Sequence, residues 1–159
     1  MSATFANTSC MQVGQALPAL HLSPVNRQTL ALFAGASGDH NPIHIDLDFA
    51  RQAGSPDVFA HGMLGMAWVG RLLTVWVPQH RLLRLDVRFQ GITQLGDALQ
   101  CTGQVVELLE YGGEHCVRVE LRSANQHGQT RIVGEALLAC SPVVSPVCST
   151  GCSPHGVPT

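Results

Sequence analysis

The stretch GMLGMAWVGRLLTVWV, residues 62–77, decides the fold of this chain. It is the longest apolar run in the sequence, Arg71 is its one charged residue, and Pro78 stops it. The run is too short for a comfortable membrane span, which needs about 20 apolar residues. A helix that is apolar on almost every side must be covered on most sides. We therefore expect a buried central helix with a sheet wrapped around it.

The residues before this helix predict short elements separated by a loop. They are, in order, a short strand over 13–22, a helix over 27–36 with Asn26 as N-cap, the loop Ser37–Ile45, and a short helix capped by Asp46 or Asp48 that ends at Gly54.

The residues after the central helix alternate between apolar and polar side chains. Leu85, Val87 and Phe89 alternate with Asp86, Arg88 and Gln90, a period of two that indicates a half-buried strand. Further strands are predicted over 99–110, 117–122 and 130–141, with turns at Gly96-Asp97, Gly112-Gly113 and Asn125–Gln129. Helices followed by an antiparallel meander predict one α+β domain over residues 12–141. We expect a loose N-terminus over 1–11 and a disordered tail over 142–159, where Pro, Ser, Gly and Cys dominate.

Composition excludes several functions. All nine cationic side chains are arginine, so lysine-dependent Schiff bases, pyridoxal phosphate attachment and Walker-type phosphate loops are excluded. A net charge of −2 gives no electrostatic footprint for nucleic acid. Charged residues make up 13% of the chain, against about 25% in an average soluble protein. We interpret this charge-poor surface as one partly buried against a partner.

The six cysteines form no CxxC pair. Cys101, Cys116 and Cys140 fall in strand-like segments, where a reduced thiol behaves as a small hydrophobe. Cys148, Cys152 and His155 cluster in the tail, but structural zinc needs four ligands. No arginine precedes Arg27 and no apolar run follows the start, which argues against a secretory signal. We expect a reduced cytoplasmic protein that does not enter a membrane.

Two neighbouring segments could carry chemistry. Asp39 and His44 flank Asn41-Pro42 in one loop, and a tight loop can bring carboxylate and imidazole together to polarise a water. The alternative is that Asp39 only caps a turn and His44 only packs.

The second segment is His61-Gly62, at the start of the central helix, where unpaired N–H groups suit a developing oxyanion. Alternatively, Gly62, Gly65 and Gly70 only allow close packing of the sheet. His40, His44 and His61 could gather a metal, but nothing in the sequence sets a geometry, and we expect no metal and no cofactor.

These segments resemble a known family. Residues 34–46 (AGASGDHNPIHID), then Phe49-Ala50, then Ala60-His61-Gly62-Met63, resemble the signature of the MaoC-like dehydratases, the (R)-specific enoyl-CoA hydratases. The similarity extends to Arg88-Phe89 and Gly96-Asp97 and covers about residues 12–140. Ile92-Thr93 departs from it, since the family usually has Pro-Val there.

The resemblance implies a hot-dog fold, a long helix wrapped by a curved antiparallel sheet, and a homodimer, with a heterodimer as the alternative. It implies reversible hydration of trans-2-enoyl thioesters of CoA or acyl carrier protein to (3R)-3-hydroxyacyl thioesters. By this resemblance Asp39 and His44 are the catalytic pair and the Gly62 N–H is the oxyanion donor. The loop-shaping residues would be Ser37, Asn41, Pro42 and His61.

Two other functions stay open. One is a hot-dog acyl-CoA thioesterase, against which the Asn-Pro-x-His loop argues. The other is a non-catalytic thioester-binding or partner subunit.

Overall fold

A computed structural model describes residues 11–140. Most of the predicted loose N-terminus, the predicted disordered tail and the cluster of Cys148, Cys152 and His155 lie outside the described residues. The predictions made for them stay predictions.

The helices lie where the sequence predicts them. They are α1 (Arg27–Ser37), α2 (Leu47–Gln52) and α3 (Gly62–Trp76), with 3-10 turns at Pro42–His44 and Gln79–Arg81. Asn26 caps α1 because its side chain accepts a hydrogen bond from the Thr29 N–H, and Asp46 caps α2 in the same way. Gly38 ends α1 in the left-handed conformation, which turns the chain into the loop that precedes α2.

The strands form one curved antiparallel sheet. They are β1 (Leu20–His21), β2 (Leu82–Phe89), β3 (Gln100–Tyr111), β4 (Glu114–Ala124) and β5 (Thr130–Ala139), in the order β1-β3-β4-β5-β2. The predicted meander is correct for β3, β4 and β5. It is wrong for β2, which pairs with β5 and not with its chain neighbour β3. The predicted strand over 13–22 shrinks to β1 and an isolated bridge between Ala16 and Gln104.

Helix α3 packs into the concave face of this sheet, as expected. Val69, Leu72, Leu73 and Trp76 are buried with the inward side chains of β3, β4 and β5. Glycine permits the close approach, because a Cβ on Gly65 would lie 2.8 Å from Cδ1 of Ile132. The packing role predicted for the helix glycines is confirmed at that position.

A second, smaller core joins α1 and α2 to the start of α3. Its buried residues are Val25, Leu30, Ala50, Val58, Ala60 and Leu64. This core holds the loop after α1 against the N-terminus of α3, so it brings the two predicted chemical segments together.

No helix among residues 11–140 is long and apolar enough to cross a membrane. The cysteines within that range, Cys101, Cys116 and Cys140, carry free thiols, and the first two are buried in strands as the sequence predicts.

Candidate active site

The loop between α1 and α2 is shaped by its own side chains. Ser37 Oγ donates to the Phe33 carbonyl at 2.7 Å and accepts from the Asp39 N–H at 3.2 Å. Asp39 Oδ1 then accepts from the Asn41 N–H at 3.2 Å. The turn-capping alternative for Asp39 is therefore present, and it uses one carboxylate oxygen.

Asn41 and Pro42 turn the chain once more. Asn41 Oδ1 accepts from the Ile43 N–H at 3.1 Å, and Pro42 is the first residue of the 3-10 turn that ends at His44. Proline suits that place because its ring sets φ and its missing N–H would have no partner there. The turn directs the His44 ring into the interior.

His44 is buried and oriented by the backbone. It is 9% exposed, its Nδ1 lies 2.8 Å from the Phe59 carbonyl, and its ring meets the Phe59 ring edge-on. A carbonyl only accepts, so Nδ1 carries the proton and Nε2 of the neutral ring keeps a lone pair. Hence Nε2 is the nitrogen available to a substrate or water.

His61 is buried more deeply, at 2% exposed. Its Nε2–H donates to the Asp39 carbonyl at 3.1 Å, and its ring stacks on His44 with centroids 3.9 Å apart and planes tilted by 30°. Although His61 occupies the N-cap position of α3, its side chain makes no capping hydrogen bond. Its Nδ1 is buried without a partner among the described residues.

Burial lowers the pKa of His61 below its ordinary value of 6.5, and the nearby His44 lowers it further. The hydrogen bond to the Asp39 carbonyl and the Asp39 charge oppose that shift without cancelling it. His61 is therefore neutral at pH 7, consistent with the single proton that its Nε2 donates.

Asp39, His44 and His61 form a compact cluster, in which one potential ligand atom from each lies within 4.8 Å of the others. A shared metal fits this cluster poorly. A metal binds in the plane of an imidazole at about 2.0–2.1 Å, and two ring planes stacked with centroids 3.9 Å apart and a tilt of only 30° do not converge at that distance. His40, which the sequence offered as a third ligand, is exposed and is not part of the cluster.

Gly62 follows His61 in the chain and is exposed. As the first residue of α3, it has an N–H without an intrahelical acceptor. A cavity of about 420 Å³ borders this helix start. It is lined by His61, Gly62, Gly65, Phe89, Ile132 and the segment 90–93 that follows β2. Asp39 and His44 are not among the residues that line this cavity. They adjoin it through His61, which lines the cavity, stacks on His44 and clusters with Asp39.

Two contacts of this site were missed by the sequence reasoning. The Phe59 carbonyl orients His44, and no residue-type pattern marks a backbone acceptor. The Phe89 ring lies 3.4 Å from the position of a Cβ on Gly62, so it covers the helix start. The alternation of β2 had placed Phe89 on the buried face, yet the ring is 52% exposed.

A larger groove of about 1210 Å³ lies on the opposite face of the sheet and contains none of the predicted site residues. Arg84 and Arg88 line this groove, and Arg84 pairs with Asp86.

Comparisons with known proteins agree with this architecture. The chain is 24% identical over 132 residues to the mitochondrial 3-hydroxyacyl-[acyl-carrier-protein] dehydratase of Arabidopsis thaliana, which covers 82% of this chain and 78% of that protein. It is 28% identical over 87 residues to an (R)-specific enoyl-CoA hydratase of Rhodospirillum rubrum, or 54% of this chain and 60% of that protein. The fold is similar to that of the R-hydratase PhaJ1 from Pseudomonas aeruginosa, with a TM-score of 0.73 and 31% identity over 84% of this chain and 85% of that one.

The model of the MaoC-like domain matches residues 10–127, which include the loop after α1, the whole of α3 and strands β2 to β4. With its hot-dog architecture and its Asp39–His44 loop, the chain therefore belongs to the MaoC-like dehydratase family.

Proposed function

We propose that this protein catalyses the reversible addition of water to trans-2-enoyl thioesters, giving (3R)-3-hydroxyacyl thioesters of CoA or acyl carrier protein. The observation that carries the proposal is the juxtaposition of Asp39, the free Nε2 of His44 and the uncapped start of α3. The similarity to an (R)-specific enoyl-CoA hydratase and to an acyl-carrier-protein dehydratase supports the same reaction class.

In the proposed hydration, a water is held between the Asp39 carboxylate and His44 Nε2. Nε2 accepts a proton as the water oxygen bonds to the β-carbon, and the negative charge moves to the thioester oxygen. The Gly62 N–H, helped by the positive end of α3, stabilises this enolate. His44 then returns a proton to the α-carbon, so that the elements of one water are added and the ring is neutral again.

The test is a panel of enoyl-CoA and enoyl-carrier thioesters with increasing chain length, including crotonyl-CoA. We expect the enoyl absorbance to fall and the product to have the (3R) configuration. Release of free thiol from saturated acyl-CoA, followed with a thiol reagent, would indicate a thioesterase instead. Binding of the whole panel without turnover would indicate a non-catalytic subunit.

We also infer that two copies pair through the β2 edge. Among residues 11–140, strand β2 has a partner strand on one side only, so its other side offers backbone groups that no described strand pairs with. Leu83 and Phe89 of this strand, and Met63 and Val75 of the helix α3 that contacts it, are apolar and exposed in one copy. A second copy fits best, because antiparallel pairing of β2 with itself is symmetric and continues the sheet.

Light scattering at micromolar concentration should give twice the chain mass. Replacing Val75, 60% exposed, with Glu should weaken the pairing, because a charge would be buried without a partner. Leu32→Glu is the matched control, because Leu32 is similarly exposed, at 66%, but lies on α1, which is not part of the proposed interface. A monomeric wild type, or equal effects of the two variants, would contradict the proposed interface.

A further inference from the structure

His61 is the one member of the cluster to which the proposed reaction gives no chemical step. It nevertheless contacts both groups that act. Its Nε2–H holds the carbonyl of Asp39 at 3.1 Å, and its ring lies against His44 at a centroid distance of 3.9 Å. On its other side the ring of Phe33 packs edge-on at 5.1 Å.

The burial of His61 is costly for stability alone. Its Nδ1 has no partner among residues 11–140, and a buried acceptor without a hydrogen bond lowers stability. An apolar ring in the same place would avoid that cost. Packing alone therefore does not explain a histidine at position 61, whereas its contacts with Asp39 and His44 do.

We propose that His61 is a positioning residue, which holds the Asp39 backbone through Nε2–H and supports the His44 ring by stacking. This proposal rests on the proposed function, since it concerns how the same site is kept ready. The Asp39 carboxylate and the His44 lone pair must face one water, and a displacement of about 1 Å can cost 10²-fold in rate.

The charge state of His61 suits this role. The titratable groups that face it are Asp39 and His44, and its other ring neighbour, Phe33, is neutral. Because burial lowers its pKa, His61 stays uncharged at pH 7. It can thus stack on His44 without opposing the positive charge that His44 acquires when it accepts a proton.

Two substitutions separate the contacts. His61→Gln keeps an amide N–H close to the place of Nε2 and removes the ring. His61→Phe keeps a stacked ring and removes the donor. We expect His61→Phe to lower kcat by about 10²-fold with little change in KM, because the Asp39 loop is released. His61→Gln should recover most of that loss.

The stability of His61→Phe should not fall together with its kcat. His61→Phe removes the unpaired Nδ1 and should unfold at the same or higher urea concentration than the wild type. A merely structural histidine predicts the reverse, with lost stability and unchanged kcat. If His61→Phe does not fold, His61→Asn replaces it, because its shorter amide does not reach the Asp39 carbonyl.

The contact itself is measured by the ¹³C′ resonance of Asp39, which shifts when the carbonyl loses a hydrogen bond. We expect a shift in His61→Phe or His61→Asn and little shift in His61→Gln. This chemical shift can be measured without turnover. An inactive wild type would therefore refute the proposed function without deciding the role of His61. An unmoved Asp39 resonance, or a kcat for His61→Phe equal to or above that of His61→Gln, would overturn the positioning role.

Discussion

Asp39→Asn and His44→Ala should each lower kcat for hydration of crotonyl-CoA by about 10³-fold, within the 10²–10⁴-fold range of a positioned acid or base. Asparagine keeps the shape of Asp39, and its amide oxygen can still accept the Asn41 N–H. It removes the negative charge that, in the proposed reaction, orients the water and stabilises the imidazolium. Alanine at residue 44 removes Nε2, the proton acceptor of the proposed reaction, which stays free because Nδ1 donates to the Phe59 carbonyl.

The control for this pair is His40→Ala. His40 lies in the same loop, but it is exposed and outside the cluster. We expect its kcat to remain within about twofold of the wild type, since substitutions of exposed residues outside a core or a buried polar network have small effects. Urea unfolding of all three variants checks that the fold survives. Near wild-type turnover in either Asp39→Asn or His44→Ala would show that the assigned roles are wrong.

The elements of this fold could be predicted because each one has a local signal. The apolar run before Pro78 marks α3, and the period-two alternation marks the strands. Strand order has no such signal. Alternation tells which face of β2 is buried, but not that β2 pairs with β5 across the sheet instead of with β3.

The same distinction holds at the site. Asp39 and His44 are five positions apart in one loop, so their proximity could be proposed from spacing around Asn41-Pro42. The contacts of His61 could not, because its side chain reaches a carbonyl 22 residues away. Although His61 is the N-cap residue of α3, its side chain makes no capping hydrogen bond, so its place in the chain does not indicate the contact that it makes.

Asp97 was predicted only as part of a turn, yet it anchors a buried polar network. It is 6% exposed, and its Oδ2 accepts from Nε and a terminal nitrogen of Arg131 at 3.1 and 2.9 Å. Asn125 donates to Oδ1 at 3.0 Å, and the Gln94 N–H donates to Oδ2. The network ties the segment between β2 and β3 to the turn between β4 and β5.

The network also sets the charge of Asp97. Burial by itself would raise the pKa of this carboxyl group, but the hydrogen bonds from Asn125 and Gln94 and the charge of Arg131 outweigh burial. The pKa of Asp97 in the folded protein is therefore below its ordinary value of 3.8. Because the folded-state pKa is the lower one, this stabilisation is complete above pH 3.8 and is lost as pH falls through the folded-state value.

Arg131→Leu should lower the free energy of unfolding at pH 7 by about 3–5 kcal/mol, because it leaves the buried Asp97 charge without its cation. Arg27→Leu is the matched control. It breaks a pair with Asp57 that is even shorter, at 2.7 Å against 2.9 Å, but those side chains are 52% and 39% exposed. Such exposed pairs contribute about 0–1 kcal/mol.

Urea unfolding at pH 7 and again between pH 5 and pH 3 distinguishes burial from mere pairing. Without Arg131 the pKa of Asp97 must rise, since burial is then opposed by hydrogen bonds alone. The variant should therefore lose less stability than the wild type as the pH falls through 3.8. The folded-state pKa of its Asp97 is no longer held as far below 3.8, so protonation of that carboxyl group costs the folded protein less. Equal losses for Arg131→Leu and Arg27→Leu at pH 7, or parallel pH curves for Arg131→Leu and the wild type, would mean that Asp97 and Arg131 act as an ordinary surface pair.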